Sequence, residues 1–78
     1  MPPLPIINAK TFIKFLESLG FVCVRQKGSH KRFKHPDGRA VTIPVHSGKN
    51  LKRGLLKGIL NSIDVSVDEL DDFLKGKK

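Results

Sequence analysis

The tetrad His35-Pro36-Asp37-Gly38 constrains this chain more than any other stretch. Proline at the second position presets a type I turn, and glycine at the fourth supplies the left-handed residue that closes a bulged hairpin loop. On either side lie runs of alternating character: His30 to His35 around Phe33, and Arg39 to Val45 with Val41, Ile43 and Val45 at period two. Two strands joined so tightly pair antiparallel, and the pairing decides which residues share a face. With His35 opposite Arg39, the residues Phe33, Val41 and Ile43 fall on one side, which is apolar and must be covered. The other side carries His30, Arg32 and Lys34, with Thr42 and, at the strand end, His46.

The remaining elements follow from periodicity. Phe12, Phe15, Leu16 and Leu19 recur at helical spacing, with Asn8 as N-cap and Gly20 as stop, so a first helix is expected over 9–19. Phe21 to Gln26 reads as a strand and Lys27-Gly28-Ser29 as the turn after it. Leu51, Leu55, Ile59 and Ile63, with Leu56 and Leu60, predict a second helix over 51–63, for which Asn50 is the candidate cap. Ser66 with Glu69 forms a capping-box pattern ahead of Val67, Leu70, Phe73 and Leu74, giving a short third helix over 67–75. The expected class is α+β: an α-β-β-β-α order with a short extra C-terminal helix. Its three-stranded antiparallel sheet is covered on one face by helices and open on the other.

With 78 residues, one small domain is expected. Residues 1–7, containing Pro2-Pro3-Leu4-Pro5, read as an extended arm and 76–78 as a disordered tail. Chains of this size bury only about 60% of their unfolded surface, so one modest core is all that can form. Cys23, in the run Phe21-Val22-Cys23-Val24, is expected to be a small buried core residue. It is the single cysteine, which fits a reducing, cytoplasmic compartment. No signal peptide is visible, and no apolar run approaches the ~18–20 residues of a membrane span.

Charge narrows the partner. The net charge is +8, and residues 1–63 carry 12 Lys and Arg against only Glu17 and Asp37. The other acids, Asp64, Asp68, Glu69, Asp71 and Asp72, cluster near the C-terminus, where first-turn acids suit a helix dipole. A basic body of this kind points to a polyanion.

Within that body, His30 follows a glycine turn and stands among cations on the open face. With Lys31 and Arg32 as neighbours, a neutral imidazole is expected there, able to accept a proton near neutral pH. RNA offers such a proton on its 2′-hydroxyl, which then attacks the adjacent phosphorus. Lys27, Arg32 or Lys34 would stabilise the charge that builds on the phosphoryl oxygens. DNA lacks the hydroxyl, so the route selects RNA. The alternative is a solvated strand histidine. His35, with the parity of Phe33, is expected to be structural, and His46 is a second polar group near the open face.

A second phosphate anchor is expected where Lys49, Lys52 and Arg53 crowd the start of the second helix, with Lys57 one turn on. Cations there oppose the dipole, so helix stability does not explain them, whereas a phosphate would. Gly54 and Gly58 lower helix propensity, which close packing against the sheet would explain. The RNA-contacting set is thus Lys27, Ser29, Lys31, Arg32, Lys34, His46, Lys49, Lys52 and Arg53. Paired zinc-ligand spacings are absent, so neither a metal nor another cofactor is expected.

Taken together, Gly28-Ser29-His30, Phe33, His35-Pro36-Asp37-Gly38-Arg39, Val41 to His46 and Leu51-Lys52 resemble the HicA toxins of prokaryotic toxin–antitoxin pairs over most of 9–74. The resemblance implies a double-stranded-RNA-binding-domain-like fold and metal-independent, ribosome-independent cleavage of mRNA. It further implies His30 as the catalytic residue and neutralisation by a HicB antitoxin. Many members carry a second histidine directly after the first, where this chain has Lys31. A non-catalytic RNA-binding module and a domain that recognises an acidic protein are the competing readings of the same basic surface.

Overall fold

The structure, a computed structural model, describes residues 3–76; the outer ends of the expected arm and tail lie outside them. Asn8 begins the first helix, α1 (Ala9–Ser18), its side-chain oxygen accepting the Thr11 N–H at 2.8 Å. Phe12, Phe15 and Leu16 turn inward and are buried. Past Leu19 the chain closes the helix with a paired bond set: the Gly20 N–H donates to the Glu17 carbonyl and the Phe21 N–H to the Leu16 carbonyl, each at 3.0 Å. Such a closure needs a left-handed residue, and Gly20 has φ +101°.

Three strands follow, β1 (Val22–Lys27), β2 (His30–Lys34) and β3 (Ala40–Pro44), antiparallel in the order β1-β2-β3. The β2–β3 turn has the expected form. The Gly38 N–H donates to the His35 carbonyl at 2.9 Å and the His35 N–H to the Arg39 carbonyl at 2.8 Å, with Gly38 at φ +101°. Phe33 pairs with Val41, and Lys31 with Ile43.

The second helix, α2 (Arg53–Ser62), starts two residues later than its apolar spacing predicts. Asn50 is not its cap. It bridges Asn8 instead, and the Leu51 N–H donates to the Ile7 carbonyl at 2.8 Å, so pairing with the N-terminal segment holds residues 50–51 extended. The N-terminal segment is therefore anchored, with Ile7 in the core. Lys52 occupies the cap position of α2 without a side-chain capping bond. Gly54 and Gly58 have no neighbour within 4 Å of where a Cβ would stand, so close packing does not explain them. The third helix, α3 (Val67–Leu74), is capped by Ser66, whose hydroxyl accepts the Glu69 N–H at 3.1 Å.

All three helices contribute to one core with Phe21, Phe33, Val41 and Ile43. The architecture is the expected α+β arrangement, α-β-β-β-α-α, with helices on the Phe33 side of the sheet. Strand β1 supplies nothing to that core, since all six of its residues are exposed. Cys23 is among them, contrary to the expected burial. Of the run Phe21 to Val24 only Phe21, just ahead of the strand, is buried. The strand is an edge, and the core residues of the sheet come only from β2 and β3. Among the described residues no helix is long and apolar enough to cross a membrane.

Candidate nucleic-acid interface

Register assembles the open face row by row. His30 lies between Lys27 on β1 and Pro44 on β3; Arg32 lies between Arg25 and Thr42; Lys34 lies between Val22 and Ala40. The β1 half of this pattern depends on a bulge between Cys23 and Arg25, where the pairing slips by one residue. Cys23 pairs with Phe33 on the core side, and without the slip Val24 would face Arg32. The extra residue brings Arg25 and Lys27 to the open face instead and sets Lys27 directly across from His30. Sequence reasoning missed Arg25. The alternation Arg25-Gln26-Lys27 was the available signal, but its parity could not be known without the bulge.

Four cations thus share one exposed face with His30: Arg25, Lys27, Arg32 and Lys34. None of them forms an ion pair among the described residues, where the Lys and Arg salt bridges are Arg39–Asp37 and Lys75–Asp71. The Arg32 Nη1 donates to the Thr42 hydroxyl at 3.1 Å, which steers its guanidinium along the sheet. A face with cations and no carboxylate attracts a polyanion and holds it through phosphates.

The face continues beyond the sheet. Pro44, the partner of His30, borders a hollow of about 390 Å³ that is also lined by His46, Lys49, Asn50, Leu51, Lys52 and Leu55. His46, Lys49 and Lys52 are therefore joined to the His30 row through Pro44. The α2 first turn contains no acid and its cap offers no side-chain acceptor, so its leading N–H groups remain available to an anion. Arg53 is exposed in that turn but does not line the hollow.

Two expected contacts lie elsewhere. Lys31 shares the parity of Phe33, is half-buried on the helix side and lines a separate groove. Ser29 is half-buried in the β1–β2 turn, where its carbonyl accepts the Val45 N–H at 2.6 Å.

His35 serves the fold. Its Nε2 lies 2.9 Å from the Leu19 carbonyl at the end of α1, its Nδ1 accepts the Asp37 N–H at 3.1 Å, and its ring meets the edge of Phe21. Arg39 continues the clamp by stacking over Phe21 and donating to the Ile63 carbonyl at the end of α2. Asp37 is held below its ordinary carboxyl value, first by the Arg39 backbone N–H and then by the Arg39 side chain. Among the described residues no three His, Cys, Asp or Glu side chains converge as a metal-ligand group.

A small α+β domain with helices on one sheet face and a histidine among cations on the other is the class this geometry defines. Residues 9–65, from the first residue of α1 to Val65, match the family described as the HicA toxin of bacterial toxin–antitoxin systems, and the chain belongs to that family. A search of curated proteins returned no match. Helix α3 lies beyond the matched segment.

Proposed function

We propose that this protein is a metal-independent endoribonuclease that cleaves mRNA, the toxin of a pair whose partner is a HicB-type antitoxin. The observation that carries this reading is the row Lys27–His30–Pro44, with Arg25–Arg32–Thr42 one step along the sheet. His30 takes the proton from a 2′-hydroxyl, and the resulting oxyanion attacks the neighbouring phosphorus. The P–O5′ bond breaks as the 2′-O–P bond forms, leaving a 2′,3′-cyclic phosphate, and the departing 5′-oxygen is protonated from the solvent that bathes the face. Lys27, directly across from His30, and Arg32, two residues along β2, offset the growing charge on the reacting phosphate. Lys34 and Arg25 bind flanking phosphates, and Lys49 and Lys52 hold the strand where it passes α2.

An exposed cationic face also suits an antitoxin that presents acids to it, and the cytoplasm is where mRNA and such a partner meet. The 2′-hydroxyl is the point of attack for a test. An RNA with a single 2′-deoxy substitution at a site otherwise cut is expected to resist cleavage there and to be cut elsewhere as before. Chelator is expected to leave the rate unchanged. Continued cutting at the deoxy site, or loss of activity with chelator, overturns the mechanism.

A further inference from the structure

Behind the His30 face, the same end of the sheet borders a groove of about 460 Å³, within the range of roughly 300–1,000 Å³ typical of small-ligand sites. Its walls are Ala9, Lys10 and Ile13 of α1, Lys31 of β2, and the segment from Val45 to Gly48. Lys31, half-buried on the core side of the sheet opposite buried Ile43, lines the groove. Lys10 of α1 lines it as well. Ala9, Ile13 and Val45 give the groove an apolar lining, and exposed His46 adds an imidazole to it. Asn8 spends its side-chain oxygen on capping α1, and its amide nitrogen has no partner among the described residues.

The groove is connected to His30 by covalent and hydrogen-bonded neighbours. Lys31 is the next residue on β2, and Val45 donates its N–H to the carbonyl of Ser29, the residue before His30. A strand of RNA bent over this end of the sheet can present one nucleotide to the groove while the adjoining phosphate stays on the open face. Apolar lining, imidazole, amide donor and two lysines match the parts of a nucleotide: a flat base, a base edge and a phosphate.

We propose that this groove is a nucleotide subsite, seating the unpaired base next to the scissile phosphate, with Lys10 and Lys31 on that nucleotide's phosphate. The proposal rests on the ribonuclease reading and commits it to single-stranded RNA, because a base held in a duplex cannot enter the groove.

Backbone amide NMR of the full-length His30→Ala protein tests it without any need for cleavage. Titration with AMP is expected to move the Lys10, Ile13, Lys31 and Val45 amides in a saturable way. Lys10→Met and Lys31→Met are each expected to weaken AMP by about threefold, whereas Lys75→Met, at the residue after α3, leaves it unchanged. Inorganic phosphate and hexaglutamate are the comparison probes. Equal response to phosphate alone marks an anion patch without base recognition and overturns the proposal. A response to hexaglutamate but not AMP assigns the groove to an acidic protein segment and overturns it too, as does AMP acting only on the open sheet face. Failure of the ribonuclease reading appears separately, as absence of cleavage by the wild-type protein.

Discussion

His30 and His35 sit on one hairpin and divide its work: the first is exposed among cations, the second ties the turn to the end of α1. His35→Ala removes the bond to the Leu19 carbonyl and the contact with Phe21. It is expected to lower stability by about 1–3 kcal/mol in denaturant unfolding, while RNA affinity per folded molecule is kept. Asp37 gives a pH prediction. Its carboxyl is lowered in the folded protein by the Arg39 N–H and guanidinium, so its stabilisation is present above the ordinary carboxylate range and lost as pH falls through the lowered value. The stability difference between wild type and Asp37→Ala is therefore expected at neutral pH and should vanish in strong acid. An unchanged difference at all pH values would exclude the carboxylate as its source. The placement of His30 on the exposed side and of His35 as a structural residue was legible in outline, because the turn chemistry of His35-Pro36-Asp37-Gly38 fixes the hairpin parity. Cys23 was misread because an apolar run shows hydrophobicity without showing how far the helix layer extends across the sheet.

At the scale of elements, the bulge in β1 decides how charge is displayed. Arg25→Gln together with Lys27→Gln removes from the open face the two cations that the bulge brings there and leaves the pairing of β1 with β2 intact. Because β1 is exposed throughout, little stability should be lost. RNA binding should weaken, and its dependence of log affinity on log salt should flatten by about 1.4, at roughly 0.7 per phosphate contact for single strands. An unchanged salt slope would mean that these two side chains touch no phosphate. The end of α2 offers a stability test. Asp64 and Val65 close it with the same bond pair that Gly20 and Phe21 use on α1, yet Asp64 is a non-glycine residue at φ +56°. Asp64→Gly relieves that strain and is expected to stabilise by up to about 1 kcal/mol, read as a rise in denaturant midpoint. Periodicity located all six elements to within a few residues. It could not show the bulge, which forms on an edge strand with no core contacts to betray its register, nor the late start of α2, which follows from pairing between residues far apart in the chain.

For the whole molecule, the hydrophobic pattern and the charge pattern agree. One face of the sheet is used for the core and the other is left as a cationic surface that runs by way of Pro44 to the first turn of α2. Five of the seven acids lie from Asp64 onward, and none lies on the three strands. Such a molecule should arrest growth when produced alone and be relieved by a co-produced HicB-type partner that covers the His30 face. Binding of that partner to the purified protein that persists after the open-face cations are reversed to Glu would contradict an electrostatic cap. The central claim, cleavage through His30, is tested most directly by single-turnover cutting of one RNA by wild type and His30→Ala, with affinity measured alongside. The account predicts equal binding and a rate lower by on the order of 10²–10⁴ for the variant; equal rates would contradict it.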